Sequence, residues 1–125
     1  DFHAVDVMHS VPSLGFTVQN SGGAFAVSGD TKTNETLWPV LNACDDLKIL
    51  VIEVSFPDEM ESLAHDSGHY TPRTLIADLK RLRHEPEIWL TGMKPGEEQR
   101  IFRQVVKLAP EKNIRMLSRG TILTV

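Results

Sequence analysis

The sequence predicts an α/β domain with helices layered on a sheet, and three observations carry that reading. Short β-prone runs alternate with segments of helical periodicity about 10–12 residues long, the pattern of layered α/β packing. Lys48–Val54 is a continuous apolar run that fits a strand buried on both faces. Asn20-Ser21-Gly22-Gly23 sits between two β-prone stretches as a strong hairpin signal.

Each element follows in order. Residues 1–13 read as strand followed by loop, punctuated by Pro12 and Ser13. Gly15–Gln19 and Ala24–Ser28 form the hairpin. Asn34 or Thr33 caps a helix running to Ala43, with Glu35 in its first turn and Leu37, Val40 and Leu41 as its buried stripe. A short helical turn spans Met60–Ala64. Thr71 caps a further helix with Pro72 in its first position, and Leu75, Leu79 and Leu82 form its apolar face. Glu87–Thr91 is a strand, Glu97–Leu108 a helix with Ile101, Val105 and Leu108 inward, and Asn113–Leu117 and Thr121–Val125 are closing strands. From the hairpin onward the order is β-β-α-β-(α)-α-β-α-β-β.

The bulk properties narrow the function classes. A chain of 125 residues suffices for one domain and is too short for two of ordinary size. Hydrophobic residues at 41% and charged ones at 24% fit a soluble globular domain rather than disorder. A net charge of −4 gives no general drive toward nucleic acid or anionic membranes. One cysteine, Cys44, excludes an intrachain disulfide framework and fits a reducing, cytoplasmic setting; its apolar neighbours suggest a buried thiol. The apolar runs are too short to cross a bilayer, and no basic-then-apolar leader is read at the start.

The polar residues at strand ends are the functional signal. His9, Asp30, Glu53 and His69 lie in or beside loops that follow strands, where α/β proteins gather ligands. Imidazole and carboxylate together suit zinc, manganese or iron. Their separations of 21, 23 and 16 residues form no local motif. His65 and His84 read as exposed, His3 as a loop histidine, and Trp38 and Trp89 as core or helix–sheet packing. Lys80, Arg81 and Arg83 read as the surface of a helix end.

The motifs themselves resemble a known superfamily. His9-Ser10-Val11-Pro12-Ser13-Leu14-Gly15-Phe16 resembles the third metal motif of the metallo-β-lactamase superfamily. Ser28-Gly29-Asp30-Thr31 resembles the fourth, whose aspartate commonly bridges two metals. Glu53-Val54-Ser55-Phe56 and Ser67-Gly68-His69-Tyr70-Thr71-Pro72 resemble the pair found in the ribonuclease Z and class II cyclic-nucleotide phosphodiesterase branch.

That resemblance implies the C-terminal half of a four-layer αββα sandwich. It implies His9 and Asp30 as metal ligands, and His69 and Glu53 as catalytic residues, the histidine near the scissile phosphate and the glutamate orienting it. Two ions, zinc with manganese or iron as the other candidates, would be expected. The implied activity of the complete protein is metal-dependent hydrolysis of a small phosphodiester, with a cyclic nucleotide as one such substrate. The helix beginning at Thr71-Pro72 would add anion-stabilising N–H groups.

Two departures are visible. The His-x-His-x-Asp-His cluster of the first half is absent, so residues 1–125 read as a single domain or half-domain lacking it. Where the family often has Thr-His-Leu-Lys-Pro, this chain has Thr91-Gly92-Met93-Lys94-Pro95, and glycine offers no side-chain ligand. Such a half exposes a sheet face and needs an N-terminal half or a second chain, a homodimer included, and alone is expected to be inactive. The alternative is a degenerate, non-catalytic domain for ligand binding or oligomerisation, which Gly92 motivates.

Overall fold

The computed structural model describes residues 2–7 and 13–124 of the chain. Its elements are β1 (Phe2–Val7), β2 (Ser13–Asn20), β3 (Gly23–Val27), α1 (Leu37–Asn42), β4 (Leu47–Glu53), a 3-10 turn (Asp58–Met60), α2 (Glu61–Ser67), α3 (Pro72–Leu79), β5 (Glu87–Thr91), α4 (Glu98–Leu108) and β6 (Ile114–Met116). The six strands form one sheet in sequence order. β1, β2 and β3 pair antiparallel, and β3, β4, β5 and β6 pair parallel.

The pairing register sorts the sheet into two unlike faces. Ala26, Leu50, Ile88 and Ile114 stand side by side across the parallel strands. They pack with Leu37, Trp38 and Leu41 of α1, Leu75 and Leu79 of α3, and Ile101 and Val105 of α4 in one buried cluster. All three helices therefore cover this face. Each fully buried leucine or isoleucine contributes about 1.5–3 kcal/mol relative to exposure.

The opposite face carries Val27, Val51, Trp89 and Arg115 in register, with Phe25 beside Ile49. No helix of the buried cluster reaches it. Arg115 lies over the Trp89 ring at 5.6 Å, and Phe16 meets Phe25 edge-on at 6.5 Å. Trp89 thus lies on the face away from the helices, a correction to its expected helix–sheet packing. Period-2 alternation assigned it a face, but the sequence did not say which face the helices cover.

Other expectations shift for local reasons. α1 begins at Leu37, because Asn34 Oδ1 accepts from the Leu37 N–H at 2.9 Å from a loop rather than from a cap. Glu35 lies before the helix, paired with Arg81 at 2.7 Å, so Arg81 is not plain helix-end surface. Leu108 is exposed on the last turn of α4. Residues 121–124 form no strand. Cys44 is half-buried, and His84 is half-buried with Nε2 3.2 Å from the Asn42 carbonyl. His3 lies in β1 rather than a loop. No helix among the described residues is long and apolar enough to cross a membrane.

Candidate active site

Three neighbouring parallel strands end at one edge. β3 leads into Ser28, Gly29 and Asp30, β4 ends on Glu53 and runs into Ser55, and β5 leads into Gly92. His69 reaches the same edge from the α2–α3 junction. Gly68, at φ 83°, ends α2 in the left-handed conformation that favours glycine, and the His69 N–H closes on the Ala64 carbonyl at 2.8 Å. The Ser55 N–H then donates to the Tyr70 carbonyl at 3.1 Å, stitching the histidine segment to the end of β4.

Glu53 is buried, only 1% exposed, and surrounded by donors. Its Oε1 accepts from the Thr31 N–H at 3.1 Å and the Tyr70 N–H at 3.2 Å, and lies 2.9 Å from His69 Nδ1. Its Oε2 accepts from Ser55 Oγ at 2.9 Å. The Glu53 N–H donates to Ser28 Oγ at 3.1 Å. A buried carboxylate needs such satisfaction, since desolvation without partners costs several kcal/mol.

Burial pushes the Glu53 carboxyl upward from its ordinary value, against the opposing pull of His69, Thr31 and Ser55. The Glu53 hydrogen bond pushes the His69 imidazole upward, with burial opposing and the charges of Glu53 and Asp30 assisting. The His69 side chain is 19% exposed, and Phe56 meets its ring edge-on at 5.8 Å. A cavity of about 390 Å³ opens beside it, lined also by Lys32, Thr33, His65 and Thr74. Because a carboxylate only accepts, the 2.9 Å contact places a hydrogen on Nδ1. Nε2 is then the ring nitrogen that accepts when the imidazole is neutral and donates when it is protonated.

The structure brings Glu53 and His69 together as expected. Asp30 is exposed in the loop after β3, near enough for its charge to act on His69. His9 lies outside the described residues. The N-terminus of α3 departs from the expected anion site. Pro72 has no N–H, the Arg73 N–H donates to Asp58 Oδ1 at 2.8 Å, and the Thr74 N–H goes to Thr71 in a capping box. Those donors are already engaged. Sequence reading passed over Ser55, Thr31 and Tyr70 as site residues; the adjacency of Ser55 to Glu53 in Glu53-Val54-Ser55 was the available signal.

Among the described residues no group of three or more His, Cys, Asp or Glu side chains could hold an ion. Gly92 brings no donor, and His69 Nδ1 is committed to Glu53. A metal centre would need donors from elsewhere.

No protein-family model and no curated protein matches the chain. Solved structures do. Human tRNase Z, short form (ELAC1), superposes with a TM-score of 0.73 at 18% identity, covering 98% of this chain and 42% of that one. Unliganded yeast PDE1 gives 0.74 at 20% identity, covering 93% and 42%. The metallo-β-lactamase-fold protein YhfI from Bacillus subtilis gives 0.74 at 12% identity, covering 96% and 48%. The chain spans less than half the length of each, and over that length it has the metallo-β-lactamase fold.

Proposed function

We propose that the complete protein is a metal-dependent hydrolase of phosphodiester bonds, and that this chain supplies its C-terminal half. The observation that carries the reading is the buried Glu53 holding His69 Nδ1 at 2.9 Å at the strand edge beside a cavity. In this reading His69 hydrogen-bonds the phosphoryl oxygens or protonates the leaving alkoxide through Nε2. Glu53 fixes the ring and raises its proton affinity. General acid assistance of this kind is worth about 10²–10⁴-fold. A cyclic nucleotide is the favoured small substrate, and the cytoplasm the favoured location.

His9 and Asp30 are this chain's proposed contribution to a zinc, manganese or iron centre. The remaining donors belong to an N-terminal half or a second copy. The sheet face away from the helices, where Phe25, Val27 and Trp89 are only half-buried, supports that half-domain reading. A non-catalytic domain for ligand binding or oligomerisation is the second reading, favoured by Gly92 at the end of β5.

Elemental analysis and turnover of bis-p-nitrophenyl phosphate by the intact protein test the proposal. Asp30→Ala is expected to lose metal and activity together, whereas His69→Ala keeps the metal and loses about 10²–10⁴-fold in turnover. Equal metal loss in both variants contradicts the assigned roles. Wild-type protein without metal or turnover after reconstitution supports the second reading.

A further inference from the structure

Ser55 is buried, 6% exposed, on the segment just beyond β4. Its backbone is clamped from two sides: its N–H donates to the Tyr70 carbonyl at 3.1 Å, and its carbonyl accepts from the Lys94 N–H at 2.8 Å. The first bond ties it to the His69 segment, the second to the loop after β5. Its main chain is therefore fixed at both ends, which leaves the side-chain torsion to be set by what the hydroxyl touches.

That hydroxyl stands 2.9 Å from Glu53 Oε2 and 3.0 Å from His69 Nδ1. A serine has one hydrogen to give and lone pairs to receive. An ionised carboxylate only accepts, so the hydrogen goes to Oε2. Toward His69 the same oxygen then accepts. The Nδ1–H of His69 consequently has two acceptors, Glu53 Oε1 at 2.9 Å and Ser55 Oγ at 3.0 Å. Glu53, Ser55 and His69 close a three-membered ring of hydrogen bonds.

We infer that Ser55 is a positioning residue, which fixes the rotation of the Glu53 carboxylate and the orientation of the His69 ring by bridging the two. Without the hydroxyl, Oε2 is a buried acceptor lacking its donor, and the carboxylate turns to recover one. The imidazole follows, because Oε1 is its other anchor. Misplacement of a reacting group by a fraction of an ångström lowers turnover more than it weakens substrate binding. The catalytic consequence rests on the hydrolase reading above; the positioning itself does not.

The experiment compares Ser55→Ala, Ser55→Thr and Ser55→Val in the intact protein. Threonine and valine have the same shape and differ in the hydroxyl, so this pair separates the hydrogen bond from packing even if the alanine variant folds poorly. The first readout is the His69 Nδ1–H proton resonance, observed without substrate. In the wild type and in Ser55→Thr it is expected downfield and slow to exchange. In Ser55→Val it should move upfield and exchange about fivefold faster or more, because the proton loses one of its two acceptors and the ring gains mobility. The second readout is turnover, where Ser55→Val is expected to lose about tenfold in kcat with KM within about twofold, and Ser55→Thr to recover it. An Nδ1–H resonance equal in position and exchange rate in the threonine and valine variants overturns the inference, whatever the activity. Absence of turnover in the wild type bears on the hydrolase reading alone, since the resonance is read independently.

Discussion

Gly92 stands against Glu53: a Cβ placed on it would lie 3.6 Å from the Glu53 Cβ, with Ser55 Oγ at 3.7 Å. These are ordinary contact distances, so the position has room for a methyl group. Its backbone is the obstacle, because φ is +71°.

Gly92→Ala is therefore expected to destabilise the protein by about 1–2 kcal/mol, the cost of holding an L-residue in the left-handed region. Urea unfolding with unchanged m-value would measure it. No loss of stability would mean that the loop after β5 relaxes out of this conformation.

The His69 imidazole and the Glu53 carboxyl are both raised from their ordinary values. A group whose pKa is higher folded than unfolded binds more protons in the native state, so stability falls as pH rises. For His69 the contribution is full below about 6.5, its unfolded value, and is lost as pH rises through the higher folded value. Glu53 acts in the same sense over a lower range. The stability difference between the wild type and a Glu53→Gln, His69→Gln double variant should thus shrink from pH 6 to 9. A constant or growing difference, by chemical denaturation at each pH, would contradict the pairing.

Tyr70 OH donates to the buried Asp78 at 2.6 Å and accepts from Asn34 Nδ2 at 3.3 Å. Burial and Asp78 both push the phenol upward from its ordinary value, so it remains a donor throughout the accessible pH range. Tyr70→Phe leaves that carboxylate without its donor and is expected to cost about 1–3 kcal/mol. A change below about 0.5 kcal/mol, typical of surface substitutions, would show that Arg81, 3.8 Å from Asp78, takes over.

Val27 lies on the sheet face that no helix of the buried cluster covers, in register with Val51. If another half packs there, Val27→Asp in the intact protein should cost about 2 kcal/mol or more, since it buries an unpaired charge. A cost below about 1 kcal/mol would indicate a face open to water and would count against the half-domain reading.

The sequence by itself determined the α/β class, the hairpin, the capped start of α3 at Thr71-Pro72, and the placement of Asp30 and Glu53 at strand ends. Those features are local: turn residues, capping chemistry and hydrophobic period act within a few positions and leave a trace in order. It also marked Glu53 and His69 as partners, through resemblance rather than spacing. Tertiary structure decided which sheet face the helices cover, and so where Trp89 lies. It decided that Ser55 bridges Glu53 and His69, and that the α3 N-terminus is filled by Asp58 and Thr71. Each of these depends on which strands become neighbours and on which donor reaches a buried acceptor first. Such choices are made by pairing register and by the cost of an unsatisfied polar group, and no window of the sequence contains them.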